Sequence, residues 1–208
     1  MNLLRAELKL IDPVRLVKGQ YRGYVDEPGV QPGSTTETFA AMRLEIDSWR
    51  WAGVPFYVRA GKGLAANATE AVVELKEPPR LLFDEIPGPP PERNLIRFRL
   101  GNNDGVTLTV QAKTPGDKID SQPVDLSVDF AAALGERKEA YERLIGDAIA
   151  GNPRRFARQD VVEETWRIVQ PVLDQPGLVH VYEPGSWGPP QANALLQQGT
   201  YWHDPSTS

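Results

Sequence analysis

Lys62 has the setting in this sequence that best suits a side chain to bind a ligand. It stands between Gly61 and Gly63, directly after an apolar segment at residues 54–59 that is typical of a strand. Because glycine carries no Cβ, a ligand can approach the backbone closely there, and an ammonium group is a compact point charge for an anion. The pattern predicts an anion-binding turn at Lys62. The competing interpretation is a solvated surface charge, which is the usual state of a lysine at a strand end.

The composition is that of an ordinary globular protein of 208 residues, with 40% hydrophobic and 25% charged residues. The net charge of -5 argues against nucleic acid as a partner, because no basic excess exists to neutralise phosphates. The chain has no cysteine, which excludes disulfides and thiol chemistry. The first ten residues lack the apolar core of a signal peptide, and no apolar run is long enough to span a membrane. We therefore expect a cytoplasmic protein with no membrane partner.

The usual parts of a nicotinamide-dependent active site are missing from the sequence. No Gly-x-Gly-x-x-Gly follows a strand, and the Lys62 segment is not a P-loop, because Phe56 stands where the first glycine is required. General acid–base catalysis usually relies on a histidine held by a carboxylate. The two histidines, His180 and His203, lie near the carboxy terminus, and we interpret His180 as an ordinary strand residue. We predict no catalytic residue and no metal site in this chain.

Alternation of apolar and polar residues predicts half-buried strands. The clearest case is residues 40–47, and further strands are predicted at residues 20–24, 54–59, 69–76, 95–100, 106–112, 125–130 and 178–182. The run from Asn102 to Gly105 is a hairpin signal. Clean alternation means that one face of the sheet is packed and the other is polar, which favours antiparallel pairing.

Two amphipathic helices are predicted near residues 141–149 and 162–173, with Pro171 expected to kink the second. Residues 1–18 could be the end of a helix from a preceding domain, and a short helix is predicted near residues 192–198. Residues 84–92 are expected to form a stiff exposed connection. The predicted fold class is α+β: one large, mainly antiparallel sheet with helices packed on one side or end.

Several motifs make the chain resemble the carboxy-terminal domain of glucose-6-phosphate dehydrogenase. The family shows Ser-Thr-Thr-x-Thr-Phe-Ala-Ala, then Trp-x-Gly-Val-Pro-Phe, then an arginine shortly before Gly-Lys and a leucine. The matching residues here, in the same order, are 34–41, 51–56, Arg59, Gly61-Lys62 and Leu64, with further matches at 19–21, 23–24, 140–145, 166–168 and 185–189. The resemblance covers nearly the whole chain. It implies a single domain over residues 1–208, with the amino-terminal dinucleotide-binding domain of the family absent.

The resemblance implies a role for Lys62, because the matching lysine contacts glucose 6-phosphate. The family oxidises this sugar phosphate to 6-phosphogluconolactone with NADP, in the pentose phosphate pathway. Two departures fall at substrate-contact positions: Asn67 replaces a second basic residue, and Gly101-Asn102 replaces Gln-Pro. The catalytic histidine and aspartate of the family lie in the part that is missing here, so we expect no oxidation of glucose 6-phosphate by this chain alone.

Arg59 and Arg99 are possible anion-binding residues, because they match arginines that hold a second, structural NADP in some members of the family. Those members carry basic residues at three further positions, where this chain has Ala68, Val72 and Trp187. We therefore expect the structural NADP site to be absent. NADP is expected in the complete enzyme, and no cofactor is expected on this chain alone.

The family pairs through its sheet, and the resemblance implies a homodimer. One predicted sheet face is polar or mixed, and its opposed charges suit a two-fold contact. Its residues are Arg97, Arg99, Thr107, Thr109, Asp125 and Asp129. A separately encoded coenzyme-binding half is the alternative partner. Three functions stay open: the substrate and dimerisation half of a dehydrogenase, a stand-alone binding or regulatory paralogue, and a soluble α+β scaffold with an anion-binding turn at Lys62.

Overall fold

The structure is a computed structural model, and it describes residues 9, 11–77, 92–101, 103–116, 121–135, 139–175 and 177–205. Its chain divides into two compact units. The first unit comprises Met1–Ala66 and Asp147–Ser208, and the second comprises Asn67–Gly146.

A four-stranded sheet forms the centre of the first unit. Its strands are β1 (Leu16–Tyr21), β2 (Phe39–Glu45), β3 (Pro55–Gly61) and β8 (Val179–Tyr182), in the order β3-β2-β1-β8. β1 and β3 each pair antiparallel with β2, whereas β8 pairs parallel with β1. Proline at the first position of β3 is tolerated, because it interrupts no hydrogen bond within the strand interior.

Two clusters of buried side chains form the core of this unit. The cluster beside the end of β3 contains Phe39, Ala41, Tyr182, Ala192 and Leu195. The other contains Ile11, Ile168 and Val172, which join a helix to the segment that precedes β1. The first cluster is the one that supports the Lys62 turn.

The second unit contains an antiparallel sheet of four strands in sequential order. They are β4 (Glu70–Glu74), β5 (Leu95–Arg99), β6 (Gly105–Lys113) and β7 (Ser121–Asp129). The register opposes Val73 to Ile96, Ile96 to Leu108 and Leu108 to Leu126, so one face of the sheet is apolar. The opposite face carries the polar set, with Arg97 opposed to Thr107 and Thr107 to Ser127.

The helices are α1 (Phe130–Leu134), α2 (Ala140–Ile149) and α3 (Gln159–Leu173), and a 3₁₀ helix covers Pro190–Leu195. Asp129 caps α1 by accepting a hydrogen bond from the backbone N–H of Ala132. After α2 the chain turns at Gly151, whose φ of 65° lies in the left-handed region that glycine favours. In the described ranges, no helix is long and apolar enough to cross a membrane.

The α+β class and the mainly antiparallel pairing are confirmed. The predicted single large sheet is replaced, among the described strands, by two sheets of four strands. The strand predicted at residues 20–24 covers residues 16–21 instead, and residue 24 lies in a 3₁₀ helix. Residues 16–18, expected at a helix end, therefore belong to β1. Neither the parallel pairing of β8 nor helix α1 was predicted. The β8 pairing is missed because local periodicity identifies a strand without identifying its distant partner.

The remaining strand and helix predictions agree with the structure to within a few residues, and the hairpin at Gly105 joins β5 to β6. Pro171 lies inside α3, as the sequence indicated. The short helix expected near residues 192–198 is the 3₁₀ helix Pro190–Leu195. The predicted stiff connection at residues 84–92 falls almost wholly outside the described residues, as does Asn102 of the hairpin.

Candidate functional site

The Lys62 turn begins where β3 ends, and its two glycines are needed for different reasons. A Cβ added to Gly61 would lie 2.8 Å from Cδ2 of Phe39, a side chain that is fully buried. Gly63 has a φ of 60°, a conformation that residues with a Cβ rarely adopt. The chain therefore passes close over the core at Gly61 and reverses at Gly63, which leaves Lys62 between them.

The backbone of Lys62 is fixed on both sides. Its N–H donates to the carbonyl of Thr38 at 2.8 Å, and its carbonyl accepts a hydrogen bond from the hydroxyl of Tyr182 at 2.7 Å. The next carbonyl, that of Gly63, accepts from the N–H of Gly185 at 2.8 Å. The turn is thus held by the residue that precedes β2 and by the residues at and after the end of β8.

The Lys62 side chain is exposed, and it forms no hydrogen bond or ion pair with any residue that the structure describes. Other lysines of the same unit are engaged: Nζ of Lys18 lies 2.6 Å from Oε1 of Glu37, and Nζ of Lys9 lies 3.8 Å from Oδ2 of Asp47. An ammonium group on a fixed backbone, with its donors uncommitted, is suited to a phosphate or carboxylate.

Arg59 lies in β3, three residues before Lys62, and its guanidinium already has partners within the chain. Nη2 lies 2.6 Å from Oδ1 of Asp204. The guanidinium carbon also stands 4.9 Å from the ring centroids of both Trp187 and Trp202. Only 11% of the Arg59 side chain is exposed, so a cation–π and ion-pair clamp joins β3 to the carboxy-terminal segment.

A cavity of about 610 Å³ adjoins this clamp. Its walls include Arg59, Trp187, Pro189, Trp202 and Asp204. The indole Nε1 of Trp202 is buried without an acceptor among the described residues. Trp187, at a position where some relatives were expected to carry a basic residue, contributes an aromatic wall and brings no positive charge. A role for Arg59 in binding an anion remains a prediction.

Arg99 belongs to the second unit, at the end of β5, and its guanidinium is also engaged. Nη1 donates to the hydroxyl of Thr107 at 3.0 Å, and Nε donates to the carbonyl of Asn103 at 3.2 Å. Thr107 in turn shares a hydrogen bond with Ser127 at 3.0 Å. These contacts tie β5 to β6 and β7, and anion binding by Arg99 likewise stays a prediction.

The two departures expected at substrate contacts, Asn67 and Gly101, are both exposed residues of the second unit. His180 is half-buried in β8, and the ring of His203 packs against Tyr201 at 4.5 Å between centroids. Across the described ranges, no cluster of three or more His, Asp or Glu side chains could hold a metal ion.

Tyr182 is the residue of this site that sequence reasoning missed. It lay at the end of a predicted strand, with no motif to mark its hydroxyl. In the structure the residue is buried, and burial raises the pKa of the phenol above its usual value of 10.0. The phenol therefore stays protonated, and a hydrogen-bond donor, throughout the neutral range.

Comparison with known proteins gives a consistent result. The family model described as "Glucose-6-phosphate dehydrogenase, C-terminal domain" matches residues 4–203. Proteins named glucose-6-phosphate 1-dehydrogenase 1, from Mycobacterium bovis and Mycobacterium tuberculosis, are 46% identical over 196 residues. The match covers 94% of this chain but 41% of each relative, so the chain spans less than half of their length.

Solved structures agree with the sequence relatives. A glucose-6-phosphate 1-dehydrogenase from Mycobacterium avium superimposes with a TM-score of 0.86 and 44% identity, over 98% of this chain and 43% of its own. A second structure, described as glucose-6-phosphate dehydrogenase in complex with its substrate glucose-6-phosphate, gives a TM-score of 0.82 and 28% identity, over 98% of this chain and 44% of its own.

Proposed function

Because this chain belongs to the glucose-6-phosphate dehydrogenase family and corresponds to its carboxy-terminal domain, we propose that its Lys62 turn binds the phosphate of glucose 6-phosphate. The observation that carries the proposal is the geometry of the turn. An exposed ammonium group, unpaired with any described residue, stands on a peptide held at both its N–H and its carbonyl. The related structure described with glucose-6-phosphate bound supports the choice of ligand.

The proposed contribution of Lys62 is binding and orientation. An ammonium–phosphate contact is a charge-assisted hydrogen bond, worth about 1.5–3 kcal/mol. Hydride transfer additionally needs a coenzyme and a general base, and we assign neither to this chain. The complete enzyme is expected to take NADP through residues outside it. The regulatory alternative is less well supported, because the relatives that match carry the dehydrogenase name.

We also propose that the complete protein is a homodimer that pairs through the β4–β7 sheet. The support is the size of this sheet and its long exposed edge strand β7. The polar face first expected to pair has much of its charge satisfied within the sheet: Arg97 is paired with Glu70, and Thr109 donates to Asp125 at 2.6 Å. Sedimentation of the 208-residue chain at a concentration on the order of tens of micromolar should give a dimer. A clean monomer at that concentration would count against pairing.

The binding proposal is tested on the 208-residue chain by NMR titration with glucose 6-phosphate. We expect saturable shifts of the Gly61 and Gly63 amides, with a Kd on the order of 1 mM, since one phosphate contact and a sugar ring supply few interactions. Lys62→Ala should weaken binding about 10- to 200-fold, which corresponds to loss of the charge-assisted contact. Inorganic phosphate should compete for the same amides, whereas glucose alone should not.

The matched control is Lys76→Ala, which removes the same charge from an exposed lysine of the second unit. It should leave the Kd unchanged. Equal affinity of wild-type and Lys62→Ala chains, within twofold, would show that Lys62 is an ordinary solvated lysine and would overturn the proposal.

A further inference from the structure

Tyr182 combines a buried ring with a hydroxyl placed at the candidate site. Only 3% of the residue is exposed, and its ring packs against Phe39 at 5.6 Å and Tyr21 at 6.4 Å between centroids. Its Oη reaches the backbone carbonyl of Lys62 at 2.7 Å. A core side chain of the first unit therefore touches the peptide that carries the proposed ligand-binding ammonium.

The direction of the hydrogen bonds follows from the number of protons. Tyr182 has one hydroxyl proton and three oxygen neighbours: the Lys62 carbonyl at 2.7 Å, the Thr38 hydroxyl at 3.0 Å and the Thr38 carbonyl at 3.2 Å. Carbonyls only accept, and the Lys62 carbonyl is nearest, so it receives the Tyr182 proton. Thr38 then donates its own proton to Tyr182, while its hydroxyl accepts from the N–H of Tyr21 at 3.0 Å.

The result is a relay of hydrogen bonds from β1 to the turn: Tyr21 N–H to Thr38 hydroxyl, to Tyr182 hydroxyl, to Lys62 carbonyl. Thr38 also holds the Lys62 N–H through its own carbonyl. Glycines on both sides of Lys62 give the peptide unusual rotational freedom, and these contacts are what oppose it. Removing the Tyr182 hydroxyl would leave the Lys62 carbonyl without its hydrogen-bond donor, and the turn would be freer to rotate.

We propose that Tyr182 is a positioning residue, whose hydroxyl fixes the Lys62 peptide so that the ammonium group is directed at the ligand's phosphate. This inference rests on the proposed binding of glucose 6-phosphate by Lys62. Tyr182 does not touch the ligand. It acts through Lys62, and the loss of its hydroxyl affects binding only when Lys62 is present.

A double-mutant cycle in Tyr182→Phe and Lys62→Ala tests this dependence, with the Kd for glucose 6-phosphate measured by NMR on the 208-residue chain. Tyr182→Phe keeps the ring and removes the hydroxyl. We expect it to weaken binding about 3- to 10-fold in the wild-type background, the range for loss of one hydrogen bond. In chains that already carry Lys62→Ala the added effect should stay below twofold. Hydrogen exchange of the Lys62 amide should become faster in Tyr182→Phe alone.

Tyr57→Phe is the matched control. The Tyr57 hydroxyl accepts a hydrogen bond from the backbone N–H of Gln197 at 3.2 Å, within the same unit but away from the relay. Its loss should change neither the Kd nor exchange at Lys62. If Tyr182→Phe fails to fold, Thr38→Val removes the middle hydroxyl of the relay and must show the same Lys62-dependent loss.

The outcomes separate the two proposals. An unchanged Kd in Lys62→Ala overturns the binding proposal, and the positioning role falls with it. A weakened Kd in Lys62→Ala together with an unchanged Kd in Tyr182→Phe overturns the positioning role alone. A loss in Tyr182→Phe that persists at full size in the Lys62→Ala background also overturns it, because the effect would then be a general loss of structure.

Discussion

Phe39 explains at the residue level why the Lys62 turn has its sequence. This fully buried ring is surrounded by three glycines, and a Cβ on Gly61 or Gly188 would lie 2.8 Å or 2.2 Å from a ring carbon. The third glycine is Gly19, where an added Cβ would lie 3.2 Å from the Cβ of Phe39. The glycine that precedes Lys62 is therefore set by core packing as well as by access for a ligand.

Gly61→Ala should destabilise the chain by about 1–3 kcal/mol, the usual cost of forcing an extra carbon into a packed core. Chemical denaturation followed by tryptophan fluorescence measures this. Gly177→Ala is the control, because a Cβ at Gly177 meets nothing within 4 Å, and its effect should stay within about 0.5 kcal/mol. A stability of Gly61→Ala equal to wild type would mean that the Phe39 ring moves without cost, and that glycine at this position serves the ligand alone.

At the scale of elements, a side-chain ion pair as well as the backbone ladder with β2 holds β1 to the segment that enters β2. Lys18 of β1 is paired with Glu37, one residue before Thr38, and the Lys18 side chain is largely buried at 11% exposure. The hydrogen bond from Lys18 lowers the pKa of Glu37 below its ordinary value of 4.5, against an opposing effect of burial. Since the folded chain holds the charged form more strongly than the unfolded chain, the pair stabilises the fold above the unfolded pKa.

This contribution is lost as the pH falls through the lowered pKa of folded Glu37. Glu37→Gln should therefore reduce the melting temperature at pH 7, by an amount that corresponds to at most about 1 kcal/mol for a partly exposed pair. The difference between variant and wild type should shrink below pH 4.5 and vanish in stronger acid. Glu139→Gln, at an exposed position of the second unit, is the control. A difference in melting temperature that is constant from pH 7 to pH 3 would show that ionisation of Glu37 is not its cause.

Most strands and helices of this chain can be predicted from its sequence, but few of the pairings between strands can. The strand β2 and the helix α2 follow from local periodicity, because alternation and the i, i+3, i+4 pattern depend only on neighbouring residues. The parallel pairing of β8 with β1 joins segments far apart in the chain, and no local pattern encodes it. The same limit applies to the site. Lys62 is marked by its flanking glycines, whereas the contacts of Tyr182 with Lys62 and of Asp204 with Arg59 join distant segments and become visible only in the folded chain.

At the scale of the whole molecule, the chain covers 41% of the relatives from Mycobacterium bovis and Mycobacterium tuberculosis. We expect the 208 residues alone not to reduce NADP with glucose 6-phosphate, because their sequence has no phosphate-cradling glycine motif after a strand and we assign no general base to them. Joining the chain to the amino-terminal half of a relative should supply both. Steady coenzyme reduction by the purified chain alone, equal in wild type and Lys62→Ala, would point to a contaminant, whereas a Lys62-dependent rate would contradict this expectation.

Steady-state kinetics of that joined enzyme, with and without Lys62→Ala, test the central claim most directly. The account predicts a fall of about 10- to 200-fold in kcat/KM for glucose 6-phosphate, equivalent to the loss of one charge-assisted hydrogen bond. The KM for NADP and the melting temperature should stay close to wild type, because Lys62 is an exposed side chain, and Lys76→Ala should change none of these values. A kcat/KM for the sugar phosphate within twofold of wild type in Lys62→Ala would contradict the account and leave Lys62 a solvated turn residue.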